Sequence, residues 1–262
     1  MRFLLLLIIS LAAIRPVSAQ NEFCGLTNTS FKAGESITFK VYYNLGKLFV
    51  GAGEAVFTCN LEKLNGRDVY HVTGDGKTFR TYDWFFKVRD KYESYIDTAS
   101  LQPQRFVRNV NEGGYKINQN VTFNHAQNTA ISNTSTQKIP NCTQDVISAI
   151  YYARNINFDK YKPGDKIFFN MFLDDKVYNI YIRYIGKETV ETKFGKFRAI
   201  KFAPLLIQGT MFEGGEKMTV WVSDDANKVP LRVDSPISVG SIKVDMVDYK
   251  NLRYNFTSLI RK

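Results

Sequence analysis

The stretch that decides the fold runs from Gly215 to Tyr249 and reads GEKMTVWVSDDANKVPLRVDSPISVGSIKVDMVDY. Apolar and polar residues alternate in it three times, around Val220, Leu231 and Val244, with turn-forming residues between the alternating segments. Because successive side chains of a strand point to opposite faces of a sheet, this period of two predicts three strands that are each buried on one face. The stretch therefore predicts an antiparallel β domain, and it does not indicate an activity.

Working outward, the same alternation recurs along most of the chain, separated by short turn signals such as Asn65-Gly66. The predicted strands are 35–45, 48–50, 54–64, 68–73, 87–97, 105–112, 115–123, 167–173, 177–188, 191–203 and 205–212. Helices do not alternate with these strands, which excludes a βαβ architecture. The predicted fold class is all-β and mainly antiparallel, as a large meander β-sandwich or open barrel with one short helix.

That helix is predicted at 143–155, in the sequence TQDVISAIYYARN. Thr143 is the expected N-cap, and Asp145 stands in the first turn, where a carboxylate complements the helix dipole. Val146, Ile147, Ile150 and Tyr151 recur at helical spacing. We expect the helix to plug one end of the sheet or to cover one of its edges.

The N-terminal sequence MRFLLLLIISLAAIRPVSAQ is typical of a secretory signal peptide. Arg2 precedes an apolar run that is too short to span a bilayer, and Val17-Ser18-Ala19 provides small residues for cleavage after Ala19. We therefore predict a signal peptide over residues 1–19, a single β domain over residues 20–262, and no transmembrane segment once the signal is removed.

The charge of the predicted mature chain is basic. Removing residues 1–19 leaves 33 Lys and Arg against 25 Asp and Glu, a net charge of about +8. A basic exported protein can meet anionic lipid or acidic glycans. The charges are scattered without a run of four, so a solvated surface is the favoured interpretation and no nucleic-acid partner is predicted.

Three cysteines remain after the predicted cleavage. Cys59 lies inside a strand pattern, whereas Cys24 and Cys142 lie in irregular stretches that adapt more easily to disulfide geometry. We expect a Cys24–Cys142 disulfide and a buried, free Cys59. The cysteines and the two histidines lack CxxC or HxxxH spacing, so no metal or other cofactor is predicted.

Three features could carry chemistry, and each has a structural interpretation as well. Asp174-Asp175 and Asp224-Asp225 could be acid/base carboxylates or calcium ligands, but both pairs stand where a β-turn favours Asp. Trp84-Phe85-Phe86 could form a stacking platform, although core packing is the favoured interpretation. With only His71 and His125 in the chain, a nucleophilic triad is not expected. We therefore predict a protein that is not an enzyme.

Three segments of this sequence resemble a family of exported bacterial proteins known only as domain of unknown function 3108. They are GEKMTVWVSDDANKVPLRVDSPISVGSIKVDM, TYDWFFKVRDKYESYID and DVISAIYYARNINF. The resemblance covers nearly the whole predicted mature chain. It implies a large meander of the kind called YmcC-like and a Gram-negative periplasmic or outer-membrane-associated location. It brings no catalytic residues to this chain.

These observations give three functional hypotheses. The first is an exported, non-enzymatic envelope protein that binds a ligand or partner on a curved sheet; lipid, glycan and another envelope protein are the candidate partners. An alternative is a carrier of lipid or another amphiphile in an apolar cavity. A third hypothesis is a glycan-active hydrolase with a carboxylate pair. The predicted binding site lies near the helix, with Arg89, Arg154, Trp84 and Tyr151 as ligand-binding residues and the two arginines at its polar mouth.

Overall fold

A computed structural model describes residues 24–46, 48–84, 86–207, 214–237 and 239–261. The predicted signal peptide lies outside these ranges, as does most of the predicted strand 205–212. The first eight strands are β1 (Glu35–Leu45), β2 (Leu48–Leu64), β3 (Arg67–Thr78), β4 (Arg89–Asp97), β5 (Pro103–Glu112), β6 (Tyr115–Asn124), β7 (Thr129–Ile131) and β8 (Thr136–Lys138). The others are β9 (Lys166–Leu173), β10 (Lys176–Glu191), β11 (Lys196–Pro204), β12 (Thr219–Ser223), β13 (Pro230–Pro236), β14 (Ser241–Lys250) and β15 (Leu259–Arg261).

These strands form one antiparallel sheet in the order β8-β7-β6-β5-β4-β3-β2-β1-β14-β13-β12-β11-β10-β9, and β15 pairs with β11 beside this path. Nearly every strand lies beside its neighbour in sequence, as the predicted meander requires. The exceptions are β1, which pairs with β14 from the far end of the chain, β15, which pairs with β11, and β8 and β9, which lie at opposite ends of the sheet. The predicted fold class is confirmed: the protein is a large antiparallel sheet that is open rather than closed.

Two-residue turns connect several of these strands. Asn65-Gly66 joins β2 to β3 with φ of 51° and 81°, and Asp174-Asp175 joins β9 to β10 with φ of 50° and 59°. Positive φ at both central positions matches the right-handed twist of the flanking strands, and Asn, Asp and Gly tolerate it best. The turn interpretation of Asp174-Asp175 is therefore confirmed.

The gap between the two ends of the sheet is narrowed by the chain that leads into the helix. The backbone N–H of Gln144 donates to the carbonyl of Asn170 at 2.9 Å, and its carbonyl accepts from Phe172 N–H at 2.8 Å, so this segment extends the sheet beyond β9. Across the gap, Arg108 of β5 pairs with Asp174, and Phe123 of β6 packs edge-on against Phe172, with ring centroids 6.0 Å apart. The open sheet is thus drawn into a barrel-like shape.

Two apolar cores lie on opposite faces of the curled sheet. The first surrounds the helix and includes Ile147, Tyr151, Phe158 and Val222. The second includes Phe39, Phe197, Trp221, Leu231 and Met246, and Leu252, Phe256 and Leu259 of the C-terminal segment pack against it.

The decisive stretch forms three strands as predicted, but the expectation that each is buried on one face is wrong. On β12, Val222 lies in the first core and its neighbour Trp221 lies in the second. The alternation grouped Trp221 with the polar residues Thr219 and Ser223. Its ring is nevertheless buried in the second core, while its indole N–H donates to Glu188 Oε1 at 2.6 Å. The second face is buried only once the distant C-terminal segment covers it.

The helix α1 runs from Val146 to Ala153, shorter than predicted. Its N-cap is Asp145 rather than Thr143, because the Asp145 carboxylate accepts from Ser148 N–H at 2.8 Å while Ser148 Oγ accepts from Asp145 N–H at 2.8 Å. Thr143 Oγ1 donates instead to Pro140. Ile147 and Tyr151 are buried as expected, but Ile150 is exposed.

The two edges of the barrel are named here by β1. The lower rim is the edge where β1 begins, and the upper rim is the edge where β1 ends.

Cys24 and Cys142 are joined by a disulfide with a Cα–Cα distance of 5.5 Å, and Cys59 is buried and free. In the part of the chain described, no helix has the length and apolarity needed to cross a membrane.

Candidate functional site: a polar recess beside the end of the helix

A recess of about 360 Å³ opens at the lower rim, beside the C-terminal end of α1. We call it the basal recess. Its wall combines the chain just after the helix with the β12–β13 turn and one residue each from β11 and the N-terminal segment. The lining residues are Thr29, Asn155, Asn157, Phe158, Asp159, Ile200, Asp224, Asp225, Ala226 and Lys228.

The β12–β13 turn is held by hydrogen bonds to its own acidic residue. Asp225 accepts from Ser223 Oγ at 2.8 Å, from Asn227 N–H at 3.0 Å and from Ser258 N–H at 3.2 Å. These bonds occupy the carboxylate and tie the turn to the C-terminal segment. The turn interpretation of Asp224-Asp225 is confirmed, and the same turn places Lys228 at the recess with φ of 44°.

A buried ion pair supports this wall from behind. Arg154, which follows α1, binds Glu35 with Nη1–Oε1 and Nη2–Oε2 distances of 2.5 Å and 2.9 Å. Its Nε donates to the carbonyl of Asn227 at 3.1 Å. Burial by itself lowers the pKa of Arg154, but the Glu35 carboxylate outweighs burial and the pKa is raised. Arg154 therefore joins the helix end, β1 and the recess turn while fully charged.

The charges around the basal recess are unequally compensated. Lys187 Nζ lies 2.8 Å from Asp159 Oδ1 and 3.0 Å from Asp224 Oδ1, so one ammonium serves two carboxylates. Lys228, by contrast, has no carboxylate within 4 Å among the residues that the structure describes. Burial lowers the pKa of the Lys228 ammonium, and Arg154 acts in the same direction, although the carboxylates of Asp225, Asp159 and Asp224 act to raise it. An anionic group bound there would relieve this cost.

Of the predicted site residues, Arg89 and Trp84 lie at the upper rim, away from the helix. Arg89 begins β4 and binds Asp83 with an Nη2–Oδ2 distance of 2.6 Å. It borders a second depression of about 280 Å³ on the outer face of β2 to β5, together with Glu54, Asp75 and Lys91. Trp84 follows a short 3-10 turn and is 84% exposed, so the expectation that it packs in the core is wrong.

The other two predicted residues are enclosed. Tyr151 and Arg154 are 2% and 3% exposed, and the guanidinium carbon lies 5.1 Å from the Tyr151 ring centroid. The Tyr151 ring also packs edge-on against Phe31 at 4.8 Å. Arg154 therefore does not stand at a polar mouth as expected, because the buried carboxylate of Glu35 holds it inside. The four residues do not form one site.

The sequence predicted a site near the helix and offered Asp224-Asp225 as possible carboxylate ligands, but it did not indicate the other residues of the basal recess. Lys228 follows Asp224-Asp225, for which the turn interpretation was favoured, and Asn155 is the last residue of the predicted helix, with Asn157 to Asp159 beyond it. No local pattern distinguishes Lys228 from the other lysines of the chain. Only the pairing of β11 with β12, together with the return of the chain past α1, brings these segments together.

Comparison with one solved structure supports the fold. A β-barrel-like protein of domain of unknown function DUF1849 from Brucella abortus is similar with a TM-score of 0.58 and 10% identity, covering 86% of this chain and 99% of that one. A protein from Bacteroides fragilis described as exported, with a YmcC-like fold, matches with a TM-score of 0.33 and 11% identity over 87% of this chain and 100% of that one. A protein described as a lipoprotein from Parabacteroides distasonis matches with a TM-score of 0.38 and 13% identity, over 86% of this chain and 100% of that one. No curated protein matches the chain.

A family model also matches residues 38–247, which span β1 to β14 and include both the recess turn and α1. The resemblance stated from the sequence is thereby confirmed. This chain belongs to the family described as "Protein of unknown function (DUF3108)".

Proposed function

We propose that this protein is an exported, non-enzymatic envelope protein that binds a small anionic ligand in the basal recess. The observation that carries the proposal is Lys228, a partly buried ammonium that faces the recess with no ion-pair partner among the described residues. The ligand's carboxylate or phosphate would take the place of that partner. Phe158 and Ile200 provide apolar contact on the same wall.

Export is supported by the N-terminal sequence, with its basic start, apolar run and small-residue cleavage site. The periplasm or the outer membrane is the proposed location, and residues 20–262 are the proposed binding domain. A binding role is favoured over catalysis because the paired carboxylates serve structure. The Asp225 carboxylate accepts three hydrogen bonds, and Asp224 forms an ion pair with Lys187.

The alternative of an amphiphile carrier needs an apolar cavity on the inner face of the sheet. That face is packed around α1 by side chains such as Tyr152, Phe106 and Phe172, each about 1% exposed. Charged side chains line both depressions described above. A small polar ligand at the lower rim therefore fits the structure better than a lipid chain in the interior.

Native mass spectrometry of the mature protein purified from producing cells tests this proposal. We expect a co-purified small acid that is lost from the Lys228→Met variant. Lys160→Met is the matched control, because Lys160 is exposed near the recess but does not line it. Equal ligand retention in both variants would count against the recess, and a co-purified lipid would favour the carrier instead.

A further inference from the structure

The upper rim gathers several loops into one surface. In an antiparallel sheet alternate connections lie at the same end of the strands. The upper rim therefore carries the β1–β2, β3–β4, β5–β6 and β13–β14 connections. Contacts join them: Phe79 N–H donates to Ala52 O at 2.9 Å and Gly113 N–H to Lys87 O at 2.9 Å. Tyr43 Oη donates to Val239 O at 3.0 Å. These loops therefore form one continuous surface.

This surface exposes large apolar side chains from all four connections. The exposed fractions are 50% for Phe49, 84% for Trp84, 42% for Phe86, 51% for Tyr115 and 60% for Val239. They stand on loops and at strand ends rather than around a groove. Aromatic side chains on protruding loops are the type that settles at the boundary between lipid headgroups and acyl chains.

Cations lie among these side chains. Arg80, Lys87 and Lys116 are exposed and have no carboxylate within 4 Å among the described residues. Lys243 Nζ lies 5.9 Å from the Phe49 ring centroid. Each such cation near an anionic bilayer contributes about 1 kcal/mol of attraction.

Acidic groups on the same loops do little to oppose this attraction. Asp83 is neutralised by Arg89. Burial, followed by the neighbouring Asp90, raises the pKa of Glu112 to about 7, so this carboxyl is partly protonated at neutral pH. The surface therefore combines apolar area with an excess of positive charge, which complements an anionic bilayer rather than a neutral one.

We propose that the upper rim docks on an anionic lipid bilayer, with Trp84, Phe86 and Tyr115 entering the headgroup region and Arg80, Lys87 and Lys116 contacting phosphate groups. Docking by this rim leaves the basal recess at the opposite edge open to solvent. The inference does not depend on what the recess binds.

Tryptophan fluorescence with lipid vesicles tests insertion. The chain has two tryptophans, and Trp221 is 9% exposed, so the signal lost in Trp84→Phe belongs to Trp84. Phosphatidylglycerol vesicles should shift the Trp84 emission to shorter wavelength, and brominated lipid in them should quench it. Phosphatidylcholine vesicles should give little change. Unchanged Trp84 emission with phosphatidylglycerol would overturn the proposal.

Vesicle co-sedimentation tests the charge. Lys87→Glu/Lys116→Glu should weaken binding to phosphatidylglycerol vesicles by about tenfold or more. Lys32→Glu/Lys250→Glu, which changes the net charge equally at exposed lower-rim positions, should bind like the native protein. Equal loss in both double variants would show nonspecific attraction and overturn docking by the upper rim. Equal binding to phosphatidylglycerol and phosphatidylcholine vesicles, or binding that does not weaken as the salt concentration rises, would also overturn the proposal.

Discussion

At the residue scale, Arg154 was predicted from the sequence to bind a ligand, but in the structure it stabilises the fold through a buried ion pair with Glu35. Its guanidinium and the Glu35 carboxylate are 2% and 0% exposed. Removing one partner of such a pair leaves an uncompensated charge in a low-dielectric interior. We expect Arg154→Met to lower the free energy of unfolding by about 3–5 kcal/mol, measured by urea denaturation.

Two comparisons separate this effect from ordinary loss of a charge. Lys63→Met breaks a pair whose side chains are 70% and 54% exposed, so its cost should stay below about 1 kcal/mol. Glu35→Gln/Arg154→Met removes both buried charges and should be more stable than Arg154→Met alone. If Arg154→Met unfolds at the same urea concentration as the native protein, the ion pair does not support the fold.

At the element scale, the start of α1 makes stability depend on pH. Asp145 is fully buried, and burial raises its pKa to about 6, while hydrogen bonds from Ser94, Ser148 and Ile147 act to lower it. In the unfolded chain an Asp titrates near pH 4. The folded protein therefore holds this proton more tightly. Its contribution is complete below about pH 4 and is lost as the pH rises through about 6.

The variant Asp145→Asn removes this titration and keeps an oxygen that can accept from Ser148 N–H. We expect the unfolding free energy of the native protein, relative to this variant, to fall by about 2 kcal/mol between pH 4 and pH 7. Urea denaturation of both proteins across that range provides the measurement, since other groups titrate alike in both. A difference that stays constant with pH would contradict the raised pKa.

Elements were predictable from the sequence where local chemistry decides them. Asn65-Gly66 and Asp174-Asp175 tolerate the positive φ that a two-residue hairpin turn demands, so the hairpins they form were recognisable. The N-cap was mistaken because Thr143 and Asp145 are both good caps in isolation. The choice depended on Gln144 pairing with β9, which places Thr143 in an extended segment. Tertiary pairing, not propensity, set where the helix begins.

At the scale of the whole molecule, one disulfide joins distant parts of the chain. Cys24 and Cys142 are 118 positions apart, a loop for which the chain-entropy model gives about 5 kcal/mol of stabilisation. We expect reduction to lower the free energy of unfolding by about that amount. Cys24→Ala/Cys142→Ala should unfold identically with and without reductant.

Peptide mapping without reduction identifies the bridge directly. The expected product links the peptides that contain Cys24 and Cys142, and Cys59 should react with a thiol reagent only after unfolding, because it is buried. Burial also raises the pKa of the Cys59 thiol to about 12, which keeps it in the unreactive protonated form. A bridge that includes Cys59 would rule out this pairing.

The candidate site could not be predicted at this scale, although the sheet could. Alternation is a local property, so it indicated the strands and their meander. The basal recess is made by residues near 29, 155–159, 200 and 224–228, which meet only because the sheet curls. The exposure of Trp84 was also hidden, since an aromatic residue in a β-rich sequence is usually packed.

The pairing of β1 with β14 has a consequence for how the protein is made. A ribosome releases β1 early, and β2 can pair with one edge of it at once. The other edge bears unpaired N–H and C=O groups until residues 241–250 arrive, because Val41 pairs with Val244 and Ser36 with Lys250. An open edge of this kind pairs readily with the strands of other nascent chains. We therefore expect a chain that stops before residue 241 to leave this edge of β1 unpaired and to aggregate more readily than the full chain.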